Sequence, residues 1–174
     1  MRLFIAINFN DETRARLLLI RDELRSRSKR GNFTLAENLH LTLAFLGECD
    51  AKQVAAAKSA MDAINIEPFS INIESIGRFK RDDGDLWWAG VQGSKPLSLL
   101  HNELTDNLIT KGFRLEKRKY SPHITLGRKV ETDTLPWKVE PFGETVTSIE
   151  LMKSERIGGK LTYTVIYKRH VNTA

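Results

Sequence analysis

Two short stretches of this chain set the same polar pair inside apolar sequence: "NLHLTLAFLGE" at 38–48 and "SPHITLGR" at 121–128. In each, a threonine follows a histidine two residues on, His40 with Thr42 and His123 with Thr125. On a strand, residues two apart project to one face. Each imidazole therefore emerges beside a hydroxyl, while Leu41 and Leu43, or Ile124 and Leu126, turn to the opposite face and into a core. Two such strands meeting at one point would offer two imidazoles and two hydroxyls to a common ligand.

That set suits a phosphate ester. Hydroxyls can donate to non-bridging oxygens. An ordinary imidazole titrates near pH 6.5, so one ring can act as base while the other acts as acid. In-line displacement at phosphorus needs those two functions on opposite sides, and two equivalent histidines supply them without a metal. A single His-x-Thr in a strand is more often a satisfied, half-buried histidine. Two copies with apolar alternate sites, 83 residues apart and each preceded by a helix pattern, are harder to explain that way. A metal reading lacks a third ligand, because neither copy has Cys, Asp or Glu clustered at ligand spacing.

With the opening "RLFIAINF", the doubled motif resembles the two-histidine phosphoesterases of the LigT type. The closest resemblance is to the RNA 2′,3′-cyclic phosphodiesterases once called 2′-5′ RNA ligases. It extends from the first strand to the final hairpin. It implies a bilobal α+β fold with a pseudo-twofold axis and a central cleft. It implies hydrolysis of 2′,3′-cyclic phosphodiesters to 2′-phosphomonoesters with no cofactor and no metal, on RNA ends or cyclic nucleotides. By the same resemblance His40 is the proton donor, His123 the proton acceptor, and Thr42 and Thr125 hold the phosphate. The two imidazole roles can be exchanged, because the sequence does not orient the substrate. Arg128, three after Thr125, is expected near the phosphate or the base, or else as an exposed strand-end cation. Two other readings stand beside hydrolysis: 2′-5′ joining of tRNA halves at the same site, and a non-catalytic RNA-binding module.

The surrounding elements must position these residues. Apolar and aromatic content predicts strands over 2–9, 40–46, 69–79, 86–91 and 123–128, and over 145–154 and 160–169 as a hairpin turning at Gly158-Gly159. Helical spacing predicts helices over 11–28, 50–64 and 94–112, with Asp11, Asp50 and Ser94 at their starts and Gly112 as a stop. Short turns between strands indicate antiparallel sheets with helices outside, an α+β arrangement in one bilobal domain over 1–174. Strand alternation places Phe45 in the core, since its offset from His40 is odd. Phe9 is also expected there. One of Trp87 and Trp88 should face the core and the other the cleft side.

The remaining candidates are weaker. His101 in a helix and His170 near the end read as structural or surface residues. "RDDGD" at 81–85 reads as a turn rather than a cation loop, and Cys49 has no base to mark it a nucleophile. Arg27, Lys29 and Arg30 precede the first motif and Lys117, Arg118 and Lys119 the second, mostly as solvated charge with some flanking the substrate. The net charge of +5 favours an anionic partner without specifying one. One cysteine precludes an internal disulfide, and no apolar run approaches a membrane span. A cytoplasmic monomer is the expectation.

Overall fold

Every position of strand β1 (Arg2–Ile7) after the first is buried, on both faces. Leu3, Ile5 and Ile7 enter the main core; Phe4 and Ala6 enter a smaller cluster with Met152, covered by Tyr163. The computed structural model describes residues 1–116 and 119–171. Helix α1 (Asp11–Ser26) is capped one residue earlier than expected: the Asn10 side chain, not Asp11, accepts from the Thr13 N–H at 2.9 Å. Asp11 and Glu12 instead occupy the first turn, where carboxylates suit the helix dipole.

Strand β2 (Ser28–Phe33) lies where sequence propensity indicated a helix end and charged loop. It forms because β6 offers a ladder, on which Arg30 faces Glu131 and binds it at 2.6 Å. A 3-10 turn at Ala36–Asn38 leads into β3 (Leu41–Glu48). Helix α2 (Ala51–Asp62) carries the full capping box of Asp50 with Gln53. Strands β4 (Phe69–Phe79) and β5 (Asp85–Val91) follow. Helix α3 (Lys95–Thr110) is capped by Ser94, and Gly112 takes the left-handed φ of +99° just beyond it.

The last four strands are β6 (His123–Thr132), β7 (Trp137–Val146), β8 (Ser148–Ile157) and β9 (Lys160–His170). The single strand expected over 145–154 is thus the end of β7 and most of β8. Pro141 and alternating charge hid β7, which is tolerated as an edge strand because one side needs no ladder donors. Gly143 is required there: a Cβ would stand 1.8 Å from the Ile71 carbonyl oxygen on β4.

All strand pairs are antiparallel, in a four-stranded sheet β3-β1-β8-β9 and a five-stranded sheet β2-β6-β5-β4-β7. The chain alternates between them, so neither lobe is a half of the sequence. Helix α1 lies on β2 and β7, α2 on β8 and β9, and α3 against α2, β3 and β4. One continuous cluster of buried apolar side chains draws on both sheets. The α+β architecture is as expected. The motif strands β3 and β6 belong to different sheets and approach each other at the centre.

Candidate active site

Both histidines are held alike by backbone two residues upstream. His40 Nδ1 lies 2.7 Å from the Asn38 carbonyl oxygen, and His123 Nδ1 lies 2.8 Å from that of Ser121. A carbonyl only accepts, so Nδ1 carries the hydrogen and Nε2 is left to exchange protons. His40 Nε2 stands 2.9 Å from Thr42 Oγ1. The 3-10 turn presents the Asn38 carbonyl, and the buried Asn38 side chain is anchored by donating to the Leu161 carbonyl on β9 at 3.0 Å. Aromatic rings fix the imidazoles from the side: Phe4 and Tyr163 lie 4.9 and 5.3 Å from His40, and Phe79 meets His123 edge-on at 5.3 Å.

The same irregularity occurs in both motif strands. Thr42 pairs with Ala6 but Ala44 with Ile5, leaving Leu43 as an extra residue. Thr125 pairs with Trp88 but Gly127 with Trp87, leaving Leu126 extra. A bulge shifts the alternation by one. Leu43 with Ala44, and Leu126 with Gly127, all become buried, and the next residue emerges on the histidine face. This corrects the placement of Phe45: it is 51% exposed and lines the cleft, beneath the Arg2 guanidinium at 4.9 Å. The equivalent place on β6 is taken by Arg128, which also lines the cleft.

The cleft encloses about 1620 Å³, and His40, Thr42, His123, Thr125 and Arg128 all border it. Its other cations are Arg2, Arg81, Arg114, Lys119 and Arg156, against the carboxylates of Glu116 and Glu155. Such a surface focuses a positive potential on an anionic ligand. Burial, first, holds His40 below the ordinary imidazole value, and the charges of Arg128 and His123 push the same way. The hydrogen bond to Asn38 opposes them. Among the described residues no cluster of three or more His, Cys, Asp or Glu could hold a metal ion.

Other candidates fall outside this centre. Trp87 is core, and Trp88 packs on the cleft side against Phe79 at 5.6 Å rather than lining the cleft. Phe9 is buried as expected. The 81–85 stretch is a turn with Gly84 at φ +112°. The Cys49 thiol is pushed up by burial, which suppresses thiolate chemistry. Arg27, Lys29 and Arg30 pair with Glu23, Asp133 and Glu131 away from the cleft. Of the second basic group Lys119 reaches the cleft, and Lys117 and Arg118 lie outside the described residues. His170 is exposed at the end of β9. His101 borders the cleft, stacked on Tyr120 at 3.9 Å with the rings 5° from parallel. Arg2, Phe4, Tyr120 and Tyr163 carry no local signal of their roles in the sequence, because each arrives from a distant element.

His40 and His101 are both held low, in each case mainly by burial. Below about pH 6.5 the unfolded chain therefore binds more protons than the folded one. Unfolding free energy should fall as pH drops through the ordinary imidazole range. Urea midpoints at pH 7.5 and 5.5 check this, and the fall should shrink in His40→Asn.

Residues 11–158 match the family model described as the 2′-5′ RNA ligase superfamily. The chain is 36% identical to an RNA 2′,3′-cyclic phosphodiesterase of Thermotoga maritima over 131 residues, 74% of this chain and 70% of that protein. It is 32% identical to the protein of the same name in Escherichia coli K12 over 165 residues, 94% and 92% of the two chains. The crystal structure of E. coli LigT complexed with 3′-AMP superposes with a TM-score of 0.86 at 28% identity, covering 99% of this chain and 98% of that one.

Proposed function

Because this chain belongs to the 2′-5′ RNA ligase superfamily, we propose that it hydrolyses 2′,3′-cyclic phosphodiesters on RNA ends or nucleotides to 2′-phosphomonoesters. The observation that carries this reading is the pair of imidazole–hydroxyl couples on one cleft, each imidazole oriented by a carbonyl at Nδ1. In the step we assign, His123 Nε2 takes a proton from water as the water oxygen bonds to phosphorus. The bond from phosphorus to O3′ breaks, and protonated His40 Nε2 gives its hydrogen to O3′. Water is consumed, and the products are a 2′-phosphate and a free 3′-hydroxyl. Exchange with solvent restores both imidazoles. Thr42 and Thr125 donate to the non-bridging oxygens, and Arg128 offsets their charge through a planar fork suited to phosphate.

The electrostatics of the cleft fit a charge-gated acid. His40 is held toward the neutral form, partly by Arg128. A phosphodiester anion between them offsets that cation and favours the imidazolium. Phe45 beneath Arg2 offers a ring on which a base can stack, one bulged step from Thr42. The cationic lining supports an RNA chain as substrate. One chain supplies both histidines, which supports a monomer acting as a single bilobal unit over 1–174. No helix among the described residues is long and apolar enough to cross a membrane. We place the activity in the cytoplasm, with RNA or cyclic nucleotides as the partner.

Incubation with a nucleoside 2′,3′-cyclic phosphate in excess EDTA, followed by phosphorus NMR, tests the assignment. The expected product is the 2′-monoester at an undiminished rate. A 3′-monoester would reverse the leaving group, and loss of activity with EDTA would overturn the metal-free step.

A further inference from the structure

Each motif strand is braced by the segment that leads into the other. Strand β2 and Thr34 precede the first motif, yet they run along β6, with Phe33 opposite Gly127. The Thr34 N–H donates to the Leu126 carbonyl at 2.9 Å, and Thr34 Oγ1 donates to the Thr125 carbonyl at 2.9 Å. The stretch before the second motif does the converse. Tyr120 crosses to β3, and its hydroxyl donates to the Thr42 carbonyl at 2.8 Å, across 78 positions of sequence. Both hydroxyls therefore end on the carbonyl of a cleft-facing threonine, at the residue just before the extra one in its bulge.

A bulge interrupts the ladder, and backbone groups beside it need other partners. We propose that Tyr120 and Thr34 are positioning residues that clamp the two bulges and so set where Thr42, Phe45, Thr125 and Arg128 stand relative to a bound phosphate. This rests on the reading of the cleft as a phosphodiester site. Both residues border the cleft, but their hydroxyls are committed to the Thr125 and Thr42 carbonyls, so each acts through the backbone of a threonine assigned to the phosphate. The ring of Tyr120 is held flat by His101, which fixes the direction of its hydroxyl. Burial raises the Tyr120 phenol well above its usual value, so it remains a donor throughout the working pH range. The reciprocity ties the lobes together: the approach to each motif is anchored on the other, so a shift in one bulge moves both halves of the grip. Displacements on the order of 1 Å at a reacting centre can cost about a hundredfold in rate.

The test compares Tyr120→Phe, Thr34→Val, the double variant and Thr34→Ser with the unaltered protein. Tyr120→Phe keeps the ring on His101 and deletes only the hydroxyl; Thr34→Ser keeps the hydroxyl. The readouts are kcat and KM on a nucleoside 2′,3′-cyclic phosphate, Kd for inorganic phosphate by calorimetry, and the unfolding midpoint. Tyr120→Phe and Thr34→Val should each lower kcat/KM by roughly five- to fiftyfold, from the loss of one hydrogen bond upward. Phosphate affinity should weaken in parallel, and Thr34→Ser should stay near the unaltered values. Unchanged kcat/KM and phosphate affinity would overturn the proposal, whether or not the midpoint falls, because a purely structural brace moves only the midpoint. If Thr34→Val does not fold, Tyr120→Phe decides alone. Failure of the unaltered protein to turn over any cyclic phosphate would count against the proposed reaction instead. In that case phosphate affinity still tests the clamp, and absence of phosphate binding by the unaltered protein would refute it.

Discussion

Replacing His123 or His40 with alanine should lower kcat on a 2′,3′-cyclic phosphate by about 10²–10⁴-fold, the usual contribution of one positioned acid or base. The double variant should be little worse than the weaker single one, because an acid and a base that act in one displacement fail as a unit. The two singles should differ in their pH–rate profiles. The unaltered protein should show a bell, and each single variant should lose one limb of it. Asparagine at position 40 is the better structural control. His40 packs between Phe4 and Tyr163, and alanine there opens a void that would confuse chemistry with packing. Single-turnover rates across pH 5 to 9 measure the effect. Activity retained in the double variant would remove these residues from the chemistry altogether.

Substituting Arg128 with glutamine should cost about 10²–10³-fold in kcat/KM, the scale seen when one preorganised donor to developing charge is lost. Lysine should recover only part, because a point charge replaces the planar fork. A second effect separates electrostatics from simple contact loss. The Arg128 charge is among the causes that hold His40 low, after burial. Without it the His40 pKa rises, and the limb of the kcat/KM profile that belongs to His40 should move to higher pH in Arg128→Gln. The direction is fixed: removing a neighbouring positive charge makes imidazolium easier to form. The limb can be assigned beforehand from the His40→Asn profile. A limb that stays in place, or moves down, would mean that the guanidinium does not act on His40.

Much of the centre was legible in the linear chain because strand geometry is local. Residues two apart share a face whatever the fold, so His40 with Thr42 and His123 with Thr125 could be paired before any partner was known. Helices α2 and α3 were legible for similar reasons: the Asp50 and Ser94 caps act within one turn of themselves. Phe45 shows where that reasoning stops. Strict alternation buried it, and one extra residue at Leu43 turned it outward. A bulge belongs to the pairing of two strands and cannot be seen in either alone. Strands β2 and β7 were missed for a related reason. Their charges and Pro141 are poor strand formers, and only β6 and β4 beside them make the ladder worthwhile.

The chemical inventory and the local facing of each motif are already present in the linear chain, because side-chain type and strand period are properties of the covalent structure. Tertiary structure decided that two strands from different sheets share one cleft. It also decided that Arg128 and Phe45 point into it, and that Tyr120 reaches Thr42 from far along the chain. Those outcomes depend on which segments pair and in what register. Pairing is set by the burial and hydrogen bonding of the whole molecule, which no single segment encodes.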